Sequence, residues 1–304
     1  MAAPSSTVTP ERLLRQLEWR VIRRLDGRLQ GNYRTLFRGA GIDLADLRAY
    51  EPGDDVRHID WSVTARTDAV HVRTFHEDRE LTAWLLLDCS PSMSFGADAR
   101  PKALVLTEIA TTIARLLTRG GNRVGAILYS SIESGRTIPP RTGRTHVLRL
   151  LRELLRPMAT ATAGPDLAGT DLTGLMTRAA RTIRRRSLVI VISDFISAPG
   201  WERHLAMLGK RHDVVAIRLF DPSESELPDT GILVVEDVET GELLTVDTSD
   251  PQFRARYVQL RDERDAELRA SADRAGVELH PVSTADDLVD AIVAIVESRK
   301  RKVR

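Results

Sequence analysis

Cysteine is nearly missing from this chain: Cys89 stands alone among 304 residues. That excludes an intramolecular disulfide framework and a cysteine-only zinc site. Neither sign of charge dominates. Lys and Arg number 44 against 43 Asp and Glu, a net charge of +1, and so balanced a chain lacks the basic face that phosphate neutralisation demands. Nucleic acid is not expected as its main partner. Long hydrophobic runs are missing too. The longest, Trp84–Leu87 and Leu188–Ile192, fall far short of the roughly 20 residues of a membrane span, and residues 1–16 hold no apolar core of signal-peptide type. A soluble cytoplasmic protein without membrane insertion is the expectation. Lysine is scarce: Lys102, Lys210, Lys300 and Lys302 are the only ones, and every other basic side chain is arginine. Motifs of catalysis are also lacking. There is no G-x-S-x-G, no P-loop, and no histidine following a serine in a recognisable elbow, so an enzyme is not expected.

What the chain does have is apolar residues, 42% of the total, ample for one large domain and an extra module. Leu13, Leu14, Leu17, Val21, Ile22 and Leu25 recur at helical spacing, which predicts a helix over 9–30. A polar, turn-rich stretch, 39–68, follows. From residue 70 strands and helices alternate: strands at 70–75 and 81–87, a helix at 101–117 with proline in its first turn, a strand at 123–129, helices at 144–155 and 172–185, and a strand at 187–192. The strands at 81–87 and 187–192 are apolar on both faces, the mark of strands buried within a parallel sheet. A helix at about 200–210, a strand at 213–219 and a hairpin over 232–246 turning near Thr240-Gly241 come next. The series ends with a helix near 251–275, a strand at 276–281, and a last helix opening at Thr284 with Asp287 as its capping-box partner. The fold class expected is α/β: a doubly wound, mostly parallel sheet over 70–304, preceded by an N-terminal helical and latch segment over 1–69.

One loop gathers chemistry. Strand 81–87 runs into Asp88-Cys89-Ser90-Pro91-Ser92, at the carboxyl end of a strand, where open α/β sheets bind ligands. Asp88, Ser90 and Ser92 form a hard-oxygen set suited to Mg²⁺, Mn²⁺ or Ca²⁺ and not to zinc. Gly169-Thr170-Asp171-Leu172 opens the helix at 172, and Ser193-Asp194-Phe195 ends the strand at 187–192. Each piece has a plainer reading: Asp and Ser cap helices, and Asp194 alone is a turn former.

The three loops, in this order, resemble the metal-ion-dependent adhesion site of von Willebrand factor A-type domains. The resemblance implies Asp88, Ser90, Ser92, Thr170 and Asp194 as ligands of a divalent cation, Mg²⁺ before Mn²⁺ or Ca²⁺. Thr173 lies one turn beyond Thr170, and the Gly169-Thr170 spacing favours Thr170. Upstream, Asp46-Leu47-Arg48-Ala49-Tyr50-Glu51-Pro52-Gly53-Asp54-Asp55-Val56-Arg57-His58-Ile59-Asp60-Trp61 and Thr64-Ala65-Arg66 are similar to the pattern of the bacterial family called domain of unknown function fifty-eight. That likeness covers about residues 30–200. It implies association with MoxR-type AAA+ ATPases and chaperone-like or metal-centre assembly, through a partner whose Asp or Glu completes the metal. Two rivals stand beside this reading: a metal-dependent phosphoryl hydrolase using Asp88, and a structural scaffold with a vacant metal site.

The Asp46–Asp60 run reads as a latch, with Arg48, Arg57 and Arg66 pairing Glu51, Asp54, Asp55 and Asp60 around a Pro-Gly turn. Trp61 is expected in the core and Cys89 as a small buried residue. His58, His71 and His76 lack ligand spacing and read as ordinary surface or strand residues. Ser298–Arg304 reads as a solvated basic end.

Overall fold

The computed structural model describes residues 9–29, 46–52, 54, 56, 59–67, 69–74, 81–94, 100–130, 135–156, 172–224, 227, 229–236 and 243–303. They fall in two compact units, Met1–Phe37 with Thr82–Arg304, and Arg38–Leu81. The first unit opens with α1 (Pro10–Leu17), which passes through a π-helical turn at Glu18–Ile22 into α2 (Arg23–Leu29). The periodic leucines and their neighbours are buried as the spacing predicts. Ion pairs fix the outer side: Glu18 with Arg115 at 2.7 Å, Asp26 with Arg119 at 2.9 Å, and Glu11 with Arg152 at 2.7 Å.

The second unit holds β1 (Asp46–Ala49), α3 (Trp61–Thr67) and β2 (His71–Thr74), with β1 and β2 antiparallel. Asp60 is buried and caps α3, accepting a hydrogen bond from the Val63 amide at 3.2 Å. Its own amide donates to the His71 carbonyl at 2.8 Å, tying the helix to β2. Asp60 is thus a helix cap. The Arg48, Arg57 and Asp55 side chains of the expected latch lie outside the described residues, as do His58 and His76. Trp61 is not in a core: as the first residue of α3 it points outward and is 69% exposed.

The main sheet comprises β3 (Thr82–Asp88), β4 (Arg123–Tyr129), β5 (Arg136–Arg141), β6 (Leu188–Ser193), β7 (Asp213–Phe220) and β10 (Glu278–Ser283). Its order is β10-β7-β6-β3-β4-β5, parallel throughout except for the antiparallel edge strand β5. The central strands β3 and β6 are buried nearly end to end, because helices cover both faces. Those helices are α4 (Lys102–Arg119), α5 (Arg144–Leu155), α6 (Leu172–Thr182), α7 (Trp201–Arg211), α8 (Pro251–Ala275) and α9 (Leu288–Val303). Gly125 on β4 makes room for its partner on β3: a Cβ there would meet the Trp84 ring at 2.9 Å. A separate antiparallel hairpin joins β8 (Ile232–Glu236) to β9 (Leu243–Asp247); its turn at Thr240-Gly241 lies outside the described residues.

Several boundaries differ from the sequence expectation, among them β10, which spans Glu278–Ser283 and not 276–281. Helix α6 ends at Thr182 and not at 185. Helix α9 begins at Leu288, since Asp287 itself caps it by accepting from the Val289 amide at 2.8 Å. Thr284 instead donates its hydroxyl to Asp221 Oδ2 at 2.6 Å, so no capping box forms. The basic end is helical: α9 runs through Val303, and Arg299 is buried against Asp213, while the side chains of 300–304 lie outside the described residues.

Candidate metal centre

Parallel pairing of β3 with β6, Leu87 opposite Ile192, brings the ends of both strands to one edge of the sheet. Asp88, the last residue of β3, is 2% exposed. Its Oδ1 accepts the Ser90 amide at 3.0 Å, and its Oδ2 accepts the Ser193 hydroxyl at 2.6 Å. The loop then makes a single 3-10 turn, Pro91–Ser94, anchored by buried Met93 and by the Cys89 amide on the Tyr129 carbonyl at 2.8 Å. This turn sets the Ser90 and Ser92 hydroxyls 3.0 Å apart.

Asp194 follows β6 and is equally buried. Its Oδ1 accepts the Ile196 amide at 3.0 Å and its Oδ2 the Lys102 ammonium at 2.8 Å. Phe195 carries a φ of 58°, left-handed backbone that a bulky side chain rarely adopts. Its amide donates to Ser193 Oγ at 2.8 Å and its ring packs on Trp201, centroids 5.3 Å apart, which holds the conformation. The Ser197 hydroxyl accepts the Leu172 amide at 3.0 Å, so the start of α6 is fastened to the same loop.

The electrostatics are uneven. Burial, and then the charge of Asp194, push the Asp88 carboxyl up to about 6. Burial opposes the charge on Lys102, but Asp194 and Glu224 outweigh it, and the ammonium titrates above its usual range. Cys89 is half-buried rather than buried, and burial with the Asp88 charge lifts its thiol to about 12, so it is no thiolate.

Asp88, Ser90, Ser92 and Asp194 therefore lie at one edge of the sheet; Thr170 lies outside the described residues. Among the described residues no three His, Cys, Asp or Glu side chains converge as a metal cluster. The donors at this edge are instead two carboxylates and a pair of serine hydroxyls, all hard oxygen. Among the described residues Asp88 has no cation in hydrogen-bond contact, so the donor set fits a hard divalent ion on the Asp88 side. On the Asp194 side a positive charge is already built in. Lys102 and Glu224, 2.7 Å apart, escaped the sequence reading. A signal existed: a lysine in an almost lysine-free chain, in the first turn of a helix, where the backbone disfavours a cation.

Comparison with known proteins places the chain. A protein of Mycobacterium bovis described only as uncharacterized is 37% identical over 288 residues, covering 95% of this chain and 89% of its own. One from Mycobacterium avium is 33% identical over 164 residues, 54% of this chain and 94% of its own. Among solved structures, the conserved hypothetical protein BatB from Bacteroides thetaiotaomicron matches 73% of this chain and 99% of its own at a TM-score of 0.45 and 14% identity. An aerotolerance-related membrane protein from Bacteroides fragilis matches the same shares at 0.43 and 16%. Residues 46–267, which include β1 and the strands bearing Asp88 and Asp194, match the model of the protein of unknown function DUF58, and the chain belongs to that family.

Proposed function

We propose that this chain is a metal-dependent protein-binding module of the von Willebrand factor A type, and that it serves as partner or adaptor of a MoxR-type AAA+ ATPase in chaperone-like assembly. One observation carries the reading: a buried carboxylate, Asp88, shares a tight loop with paired hydroxyls from Ser90 and Ser92, and a second carboxylate, Asp194, follows the adjacent strand. Asp88, Ser90 and Ser92 would hold the ion directly, with Asp194 and Thr170 closing its other side. Mg²⁺ suits an all-oxygen site, with Mn²⁺ or Ca²⁺ as substitutes. A divalent ion bound there supplies a Lewis-acidic position for an Asp or Glu of the partner. The chain's own contribution is orientation. The Ser90 amide and the Ser193 hydroxyl fix the Asp88 carboxylate, and the 3-10 turn fixes the serines.

The experiment is direct binding of the full chain to a purified MoxR-type ATPase from the same organism, with Mg²⁺ or with chelator. Wild type should bind only with Mg²⁺. Asp88→Ala should lose binding while keeping its fold, and Ser90→Ala should weaken it less, because water replaces a neutral ligand. Binding that persists in chelator, or in Asp88→Ala, would move the interface to the Asp46–Trp61 segment.

A further inference from the structure

We infer that Lys102 is the internal counter-cation of this site. It holds Asp194 in place and competes with the divalent ion for it, so that Lys102 and Glu224 together set metal affinity. The inference rests on the metal-binding reading of Asp88 and adds the residue that regulates it.

The placement of Lys102 has no simple local explanation. It begins α4, at the positive end of the helix, and is 1% exposed. Burial and helix dipole both oppose an ammonium there. Two carboxylates retain it: Asp194 Oδ2 at 2.8 Å and Glu224 Oε1 at 2.7 Å. Arginine, which the chain uses almost everywhere else, would present a planar fork and claim both oxygens of a carboxylate. An ammonium is a point charge and contacts Asp194 through one oxygen. The other oxygen accepts the Ile196 amide, and a carboxylate has about four lone-pair sites. Asp194 can therefore be shared, at the expense of repulsion between ammonium and metal.

Glu224 extends the connection. It is 22% exposed and sits on the turn Pro222–Glu224 after β7, and its backbone carbonyl accepts the Tyr257 hydroxyl of α8 at 2.8 Å. Whatever displaces this turn alters the hold on Lys102, and through Lys102 the availability of Asp194.

The test is Mn²⁺ titration of the full-length chain by calorimetry, comparing wild type, Lys102→Gln, Glu224→Gln and each combined with Asp88→Ala. Removing the ammonium should tighten Asp88-dependent binding by about tenfold or more, since a unit charge acts on a divalent ion at close range. Glu224→Gln should weaken it several-fold, because Lys102 then leans on Asp194 alone. Asp88-dependent binding that appears only in Lys102→Gln also supports the inference. Asp88-dependent binding of unchanged or reduced strength in Lys102→Gln overturns it and leaves the site standing. Absence of Asp88-dependent binding in both wild type and Lys102→Gln overturns site and inference alike. If Lys102→Gln does not fold, Glu224→Gln decides: weaker binding supports the competition, and unchanged binding refutes it.

Discussion

Asp88→Asn should stabilise the metal-free protein at neutral pH, an unusual direction for a substitution at a buried polar position. The Asp88 carboxyl, raised by burial and the Asp194 charge to about 6, binds its proton on the order of a hundredfold more tightly than an ordinary Asp near 4, so its ionised form is disfavoured by about 3 kcal/mol in the fold. Asparagine removes that charge. It keeps an acceptor for the Ser90 amide but turns an NH₂ toward Ser193 Oγ, which already accepts the Phe195 amide. Rearranging that contact costs about 1–2 kcal/mol, which leaves a net gain of about 1–2 kcal/mol. The pH dependence follows from a raised carboxyl. The folded state holds the extra proton, so the contribution of this carboxyl to wild-type stability is greatest below about pH 4, declines between about 4 and 6, and is level above. The variant lacks this decline, and the two curves should separate across that window. Urea denaturation in chelator from pH 3.5 to 8 measures it. A variant less stable than wild type at pH 7.5, or a difference that does not change with pH, would refute the reasoning. Saturating Mg²⁺ should then favour wild type, since a ligand stabilises only the form that binds it.

Two further outcomes are expected. His212 is buried, and among the described residues neither ring nitrogen has a hydrogen-bond partner; burial, then Arg211 and Arg186, hold its pKa down. The contribution of His212 to stability should thus be full above about pH 6.5 and fall as pH drops below it; His212→Leu should flatten that limb in thermal melts relative to wild type, and an unchanged limb would exclude His212 as its source. Asp221→Asn should cost about 1–2 kcal/mol through its bonds to Ser223 and Thr284; urea denaturation measures it, and an unchanged midpoint would refute it.

The sheet was legible where physics leaves a strand one option. Leu188–Ile192 has no polar residue, so it must be covered on both faces, and it is the central strand β6. The edge strand β5 was illegible because Pro139 and Pro140 argue against a ladder. An edge needs pairing on one side only, and the register slips between Val124 and Ala126 where the prolines pass. Trp61 misled through its size: hydrophobicity suggests burial, but capping by Asp60 decides where the helix starts and so which way its first side chain points. Thr284 misled in the opposite sense. Its spacing to Asp287 fits a capping box, but Asp221 on the neighbouring strand offers a buried acceptor that the local pattern does not contain. At the site, Asp88, Ser90, Ser92 and Asp194 were readable because strand ends advertise themselves locally. Lys102 was not, because its partner Asp194 is 92 residues away and only the sheet brings them together.

Three consecutive strands of that sheet, β3, β6 and β7, end in buried aspartates, Asp88, Asp194 and Asp221. Each turns its Oδ1 back to the amide two residues on, Ser90, Ile196 and Ser223. This turn explains an aspartate at a strand end without any ligand, so the carboxylates by themselves imply no metal. The difference lies at the second oxygen. Asp221 receives the Thr284 hydroxyl and Asp194 receives an ammonium, whereas Asp88 receives a hydroxyl while facing the negative charge of Asp194. A fold that needed only turns would gain nothing by setting two carboxylates on adjacent strands. It would gain nothing, either, from a buried lysine that answers one of them and not the other. The carboxylate without a cation among the described residues is Asp88, and the paired hydroxyls of Ser90 and Ser92 are in its own loop.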